Sequence, residues 1–165
     1  MIDILFKKLD EKAVIPERKH DTDAGFDLVA TSCKYNPIYD RFEYGVGFAT
    51  KIPSGFYAEI LPRSSNTKTE AYLPNSSGVI DANYTGEWKV FYKLRTRFEE
   101  LFPNGDKELN LLEMENELRP YAIGDKIAQC LIHRVEDTKF ITVDELPKTD
   151  RGEDGGINRN DKNFK

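Results

Sequence analysis

The chain has 165 residues, of which 39% are hydrophobic and 32% charged, and its formal net charge is −5. This length accommodates one domain with a core of its own, and the composition is unlike that of membrane-embedded or disordered chains. The negative charge argues against a protein that coats nucleic acid, although a few placed arginines suffice to bind a single nucleotide.

The remaining compositional features concern location and metals. No apolar run approaches the ~20 residues of a membrane span, and residues 1–8 lack a charged start followed by an apolar stretch, so a soluble cytoplasmic protein is expected. Cys33 and Cys130, like His20 and His133, are not at metal-ligand spacing, which disfavours a disulfide framework or a zinc site. Any metal is expected to be a hard cation held by oxygens of the substrate.

Short segments of alternating polarity, separated by glycine and proline, predict β-strands. In chain order, the predicted strands are residues 2–6, 26–30, 46–52, 56–61, 87–95, 127–135 and 140–143. In residues 87–95, for example, Trp88, Val90, Tyr92 and Leu94 share one face. The pattern predicts an all-β sandwich or barrel.

Two regions interrupt this rhythm. Residues 96–119 are charged and rich in Glu and Leu, and the spacing of Leu111, Met114 and Leu118 indicates one face of a short helix. We expect a partly helical surface insertion there, with a partner-binding element as the alternative. Residues 148–165 are polar and contain three glycines, which predicts a flexible arm after a β domain of residues 1–147.

Three segments in the first part of the chain carry residues suited to a nucleotide. Residues 23–28 place an acid at a strand start, where a plain turn is the alternative. Residues 62–66 offer a guanidinium, two hydroxyls and successive N–H groups to phosphate oxygens, although a capping turn has the same composition. In residues 75–87, Asp81 is placed to act as a general base toward water and Tyr84 to offer a flat face to a sugar. A β-hairpin without function also fits the last segment.

Two later segments add an amide and a cation. Residues 124–129 form a turn into a strand, and Gln129, on an apolar face, needs a hydrogen-bonding partner. Residues 151–156 place Arg151 on a glycine-rich stretch, which fits either a loose tail or a lid that closes over anions.

Taken in this order, the five segments resemble the five motifs of the trimeric dUTPase family. They read DAGFDL at 23–28, PRSS at 62–65, GVIDANYTGE at 78–87, GDKIAQ at 124–129 and RGEDGG at 151–156. The resemblance implies a distorted β-barrel or jelly roll, also termed a β-clip. It also implies a homotrimer that hydrolyses dUTP to dUMP and pyrophosphate with the help of Mg²⁺.

On the nucleoside side, the resemblance gives Asp81 the role of activating the water that attacks the α-phosphorus. Tyr84 is expected to stack under the deoxyribose and to leave no room for a 2′-hydroxyl. The implied contacts to uracil are Asn75 and the neighbouring positions Gly78, Val79 and Ile80. Each active site of the family takes motifs one, two and four from one subunit, motif three from a second and the arm from the third.

On the phosphate side, the implied ligands are Arg63, Ser64, Ser65, Gln129 and Arg151. Asp27 is expected to help hold Mg²⁺ through water, with the metal itself on the triphosphate oxygens. The arm positions expected to close over the substrate are Gly155, Gly156 and Ile157.

The chain departs from the family pattern in two places. The fifth motif has an extra residue, Asp154, and Ile157 stands where the family has a phenylalanine that covers uracil. Stacking on a base contributes about 1–3 kcal/mol, so weaker substrate affinity or slower turnover is expected. The second departure is the insertion of residues 96–119, which is a candidate site for a regulatory protein partner.

Two other functions remain open. A dCTP deaminase of the same fold would need a glutamate poised at C4 of cytosine, whereas the third motif here matches the hydrolase pattern. A catalytically weak member that senses nucleotides or binds a protein is the other alternative, and the altered arm and the insertion both motivate it.

Overall fold

The computed structural model describes residues 2–95 and 118–150, which form strands and one 3₁₀ helix (Ser64–Lys68). The strands are β1 (Leu5–Lys8), β2 (Phe26–Val29), β3 (Ser32–Asn36), β4 (Arg41–Lys51), β5 (Phe56–Leu61), β6 (Ala71–Tyr72), β7 (Gly78–Asp81), β8 (Glu87–Leu94) and β9 (Lys126–Arg134). Outside the described residues lie most of the insertion at 96–119 and the predicted arm positions Arg151, Gly155, Gly156 and Ile157.

Sheet A is built on the long strand β4, which is buried along nearly its whole length. One edge of β4 pairs first with β3 and then with β1, and the other edge pairs with β8, which in turn pairs with β6. The β4–β8 register shifts between Gly45 and Ala49, and Gly47 in between has a φ of +70°. A glycine suits this left-handed conformation because it has no Cβ.

Sheet B has the strand order β2-β9-β5-β7, with every neighbouring pair antiparallel. Alternation sends one set of side chains inward, namely Leu28, Ala58, Ile60, Ile80, Ala128 and Cys130, all of which are buried. The opposite set points to the outer face of sheet B, and it includes Asp27, Gln129 and Asp81. The candidate site residues on this sheet therefore share its outer face.

The core lies between the two sheets, and it contains buried tyrosines whose hydroxyls donate to backbone carbonyl oxygens. The Tyr44 hydroxyl donates to the carbonyl oxygen of Tyr121 at 2.9 Å, and the Tyr92 hydroxyl donates to that of Ile127 at 2.7 Å. Burial raises the pKa of both hydroxyls above its usual value. Each hydroxyl thus stays a neutral donor, as a buried polar group requires.

The all-β architecture predicted from the sequence is confirmed. The predicted strand 56–61 coincides with β5, and the strands predicted at 26–30, 87–95 and 127–135 match β2, β8 and β9 to within one residue at each end. Residues 46–52 are the second half of β4 and its continuation. No helix among the described residues has the length and apolar character needed to cross a membrane.

Two strand predictions were wrong in whole or in part. Residues 140–143 are mostly apolar but form no strand: no strand among the described residues pairs with them, and Phe140, Ile141 and Val143 are exposed. At the other end, β1 begins at Leu5 rather than Ile2, since its register is fixed by pairing with the last four residues of β4.

Candidate nucleotide site

A three-residue charged cluster forms the first half of the site. Asp27 on β2 forms an ion pair with Arg63, whose Nε lies 2.7 Å from Oδ1, and accepts a hydrogen bond from Lys126 Nζ through Oδ2 at 2.6 Å. The cluster carries two cations and one carboxylate, so a net positive charge remains for an anion. Within the described residues the guanidinium nitrogens of Arg63 donate no hydrogen bond, so they can bind a phosphate bidentately.

Gln129 links this cluster to the segment that directly follows β5. Its position on β9 is directly opposite Asp27, and its amide Nε2 donates to the carbonyl oxygen of Pro62 at 3.1 Å. Gly25 makes room for this arrangement, since a Cβ at that position would lie 2.4 Å from Gln129 Oε1. The hydrogen-bonding partner predicted for Gln129 is therefore the backbone immediately before Arg63.

The turn that carries Arg63 is fixed from the side of the core. The 3₁₀ helix begins after Arg63, whose carbonyl oxygen accepts from the Asn66 N–H at 2.9 Å. The Asn66 side chain accepts from the Tyr121 hydroxyl at 2.7 Å and donates to the carbonyl oxygen of Ala71 at 2.9 Å. Within the described residues, the hydroxyls of Ser64 and Ser65 have no hydrogen-bond partner, so both are free to meet a ligand.

The second half of the site lies around the end of β7. Asp81 is the exposed last residue of that strand, and its carbonyl oxygen accepts from the Tyr84 N–H at 3.0 Å to close a turn. The Tyr84 hydroxyl donates to the carbonyl oxygen of Glu87 at 2.9 Å, which holds the ring in place while 45% of the residue stays exposed. A Cβ on Gly86 would lie 2.7 Å from that hydroxyl, so the ring requires glycine there.

The loop that enters β7 presents the predicted base-binding positions. Asn75 is exposed, its carbonyl oxygen accepts from the Ser77 N–H at 2.7 Å, and Ser76 between them has a φ of +60°. Val79 is 60% exposed, whereas the Ile80 side chain is buried in the core. Ile80 therefore offers a ligand only its backbone.

The two halves are far apart within one chain. Asp81 pairs with Tyr57 on β5 and Gln129 pairs with Leu61, which puts them about 13 Å apart along the strand direction. Strands β7 and β2 occupy opposite edges of sheet B, about 14 Å apart across three strand spacings. The catalytic candidate and the Asp27 cluster are thus separated by roughly 20 Å.

The structure brings the predicted residues together as two groups rather than one. Asp27, Arg63 and Gln129 meet in one group, with Ser64 and Ser65 beside Arg63, and Asp81 and Tyr84 meet in the other. Sequence reasoning missed Lys126, although it belongs to the fourth motif, because its contact with Asp27 depends on the β2–β9 register. It also missed Lys51, whose Nζ donates to the carbonyl oxygen of Ala82 at 3.1 Å.

Comparisons of the sequence with known proteins identify its family. The family model described as dUTPase matches residues 11–99. The chain is 35% identical over 153 residues to the deoxyuridine 5′-triphosphate nucleotidohydrolase of Nocardia farcinica, covering 92% of this chain and 82% of the relative. It is 32% identical over 151 residues to the enzyme of the same name from Arabidopsis thaliana, covering 92% and 78%.

Solved structures give the same result for the fold. A mutant dUTPase from Staphylococcus phage 80alpha superposes with a TM-score of 0.69 at 24% identity, covering 94% of this chain and 97% of the other. A mutant dUTPase from phage phi11 of S. aureus, described with a structural Mg(II) ion, superposes with a TM-score of 0.66 at 25% identity, covering 88% and 99%. The protein is therefore a member of the dUTPase family.

Proposed function

We propose that this protein hydrolyses dUTP to dUMP and pyrophosphate, with Asp81 as the general base. The observation that carries the proposal is the turn from Asp81 to Tyr84. It presents an exposed carboxylate, without a partner among the described residues, next to an immobilised aromatic ring. A carboxylate that orients and deprotonates water, beside a flat surface for a sugar, suits attack on the α-phosphorus of a nucleotide.

The nucleoside would lie over the β7 end of sheet B. The Tyr84 ring supports the deoxyribose, and its fixed position leaves no space for a 2′-hydroxyl. The exposed Asn75 and the backbone of residues 78–80 read the polar edge of uracil. The backbone is suited to this task because its N–H and C=O groups are held in place by pairing with β5.

The triphosphate would lie on the Asp27–Arg63–Lys126 cluster, with Ser64, Ser65 and Gln129 beside it. The cations offset the negative charge that repels an attacking hydroxide and that grows on the leaving pyrophosphate. Both Asp27 oxygens are engaged, yet each keeps capacity to accept another hydrogen bond, so the residue fits water-mediated contact with a Mg²⁺ held on the substrate. When bound, Mg²⁺ would supply further charge neutralisation at the phosphates.

Because the two halves are about 20 Å apart in one chain, we assign each active site to different copies of a homotrimer. Motif three would come from one copy and motifs one, two and four from another. The arm, residues 148–165 after a domain of 1–147, would come from the third with Arg151, Gly155, Gly156 and Ile157. The exposed apolar residues Phe140, Ile141, Val143 and Leu146 support this assignment, since no part of the chain that the structure describes covers them. The cytoplasm, where deoxynucleotides are metabolised, is the proposed location.

The proposal is tested by pyrophosphate release from dUTP, dCTP, dTTP and UTP. Release from dUTP alone is expected, and Asp81→Asn should lower turnover by about 10²–10⁴-fold with nearly unchanged substrate affinity. Asp3→Asn, at an exposed acid far along the chain from the site, is the matched control and should behave as wild type. Wild-type turnover in Asp81→Asn would remove that residue from its role.

The same assay separates the alternatives. Ammonia released from dCTP would identify a deaminase of the same fold. Tight binding of dUTP without pyrophosphate release would identify a member that senses nucleotides or binds a protein partner.

A further inference from the structure

Three side chains form a row across the outer face of sheet B. Asp81 on β7 is directly opposite Tyr57 on β5, and Tyr57 is directly opposite His133 on β9. Paired residues of antiparallel strands project from the same face with Cβ atoms about 4.5–5.5 Å apart. Tyr57 is therefore the immediate neighbour of both the proposed catalytic base and the histidine.

The Tyr57 ring is held on its β9 side by two further groups. It stacks on the His133 ring with centroids 5.0 Å apart and planes inclined by 20°. His133 Nε2 lies 3.0 Å from Glu59 Oε2, and this nitrogen is shielded from solvent. The contact is one of proximity, because Nε2 makes no hydrogen bond within the described part of the chain. Glu59 is two residues beyond Tyr57 on the same face of β5, so His133 contacts both side chains.

Asp81, in contrast, has little support of its own. It ends a four-residue strand at the edge of sheet B, where β5 is the neighbouring strand. Within the described part of the chain, its carboxylate has no hydrogen-bond or ion-pair partner. Tyr57 is thus the cross-strand neighbour of Asp81 on β5.

We infer that Tyr57 is a positioning residue for Asp81, and that His133 and Glu59 hold its ring. The inference rests on the proposed role of Asp81 as the base. The ring limits the directions in which the carboxylate can point, and so keeps it aligned with the attacking water. A misplacement of about 1 Å in a reacting group can lower turnover by about 10²-fold. The substrate contacts at Asn75, Tyr84 and Arg63 do not depend on this ring, so substrate affinity should be insensitive to it.

The test compares steady-state kinetics of dUTP hydrolysis in variants of the full chain. Tyr57→Val, which suits a strand but lacks the ring, should lower kcat by about 10- to 100-fold with KM within about twofold of wild type. Tyr57→Phe keeps the ring and should restore wild-type kcat. His133→Gln removes the stacking partner and should lower kcat by a smaller factor. Tyr39→Val removes an exposed ring on the loop between β3 and β4, in sheet A, and should change neither constant.

Wild-type kcat in Tyr57→Val would overturn the inference, as would a rise in KM that matches the fall in kcat, because that indicates general loosening of the site. If Tyr57→Val does not fold, His133→Gln decides the question by the same criteria, and wild-type kcat in that variant overturns the inference. Failure of wild-type protein to hydrolyse dUTP would refute the proposed function and this inference with it. If the wild-type protein hydrolyses dUTP and the variants turn it over equally fast, the inference alone is refuted.

Discussion

Asp27 shows how a single side chain organises its neighbours. The sequence assigns it to an indirect metal contact, whereas in the structure both of its oxygens hold cations, from Arg63 and Lys126. A carboxylate in this arrangement orients a guanidinium that would otherwise have several rotamers. Each oxygen can still accept a further hydrogen bond. Any contribution of Asp27 to Mg²⁺ binding would therefore come in addition to its pairing with Arg63 and Lys126.

Gly25→Ala should impair activity more than stability. The added Cβ would lie 2.4 Å from Gln129 Oε1. This atom ends a flexible side chain and can move aside, but the movement breaks the bond to the carbonyl oxygen of Pro62. We expect kcat/KM for dUTP to fall about 10-fold or more while the urea midpoint changes little. The control is Gly25→Ala combined with Gln129→Ala, which should be no less active than Gln129→Ala alone. A stability loss without a change in kcat/KM would contradict the expectation.

At this scale the sequence reveals which residues need partners but seldom which partners they have. Gln129 was expected to need a hydrogen bond, and it has one. The contact of Lys126 with Asp27 and the stacking of Tyr57 on His133 were not foreseen, because both depend on strand register. Register is decided by pairing between segments that are far apart in the chain.

Among the elements, the 3₁₀ helix Ser64–Lys68 depends most clearly on remote support. Tyr121→Phe removes the hydroxyl that donates to Asn66, and it should cost about 1 kcal/mol of stability. It should also raise KM for dUTP several-fold, because the turn that carries Arg63 loses its anchor. Tyr35→Phe, which removes a hydroxyl bonded to Asp40 at 2.6 Å in sheet A, is the matched control. Equal stability losses with unchanged KM in both variants would show that the anchor does not serve the site.

In sheet A, Glu43 makes stability depend on pH. Burial raises the pKa of its carboxyl, but hydrogen bonds from Arg41, Asn36 and Lys34 together outweigh burial and leave the pKa below its usual value. A lowered folded-state pKa adds stability above the ordinary value of about 4.3, and this stability is lost as the pH falls through the folded-state value. Glu43→Gln should therefore cost about 1–2 kcal/mol at pH 7 and progressively less toward pH 3.

Urea midpoints at several pH values measure this difference. Glu136→Gln, at an exposed acid, should show no such trend. A constant difference between Glu43→Gln and wild type across the range would mean that the carboxylate charge contributes nothing.

The sequence predicted elements best where both faces of a strand have distinct environments. Residues 56–61 alternate between core and outer face, and the predicted bounds match β5. β3 and the first half of β4 were missed. Their charged residues, such as Glu43 and Lys34, form an ion pair across the two strands, and this pairing is not visible in the sequence. Residues 140–143 have the apolar and β-branched side chains of a strand but no pairing partner among the described strands, and composition alone does not reveal a missing partner.

On the scale of the whole molecule, the outer face of sheet B carries the residues of both half-sites yet keeps them apart. The order β2-β9-β5-β7 places Asp27 and Asp81 on opposite edge strands. The pairing registers also place the two residues toward opposite ends of β5. A second copy that brings its β7 end to the Arg63 end of the first would complete a site. A closed ring of three copies would repeat this contact three times.

Mixed trimers test this central claim most directly. Arg63→Ala and Asp81→Asn are co-expressed with different affinity tags, and the trimers that carry both tags are purified. Each parent should release almost no pyrophosphate from dUTP. A mixed trimer should regain about one third of wild-type turnover, because one of its three sites combines an intact Asp81 with an intact Arg63 from the neighbouring copy. Mixed trimers as inactive as their parents would contradict the shared site.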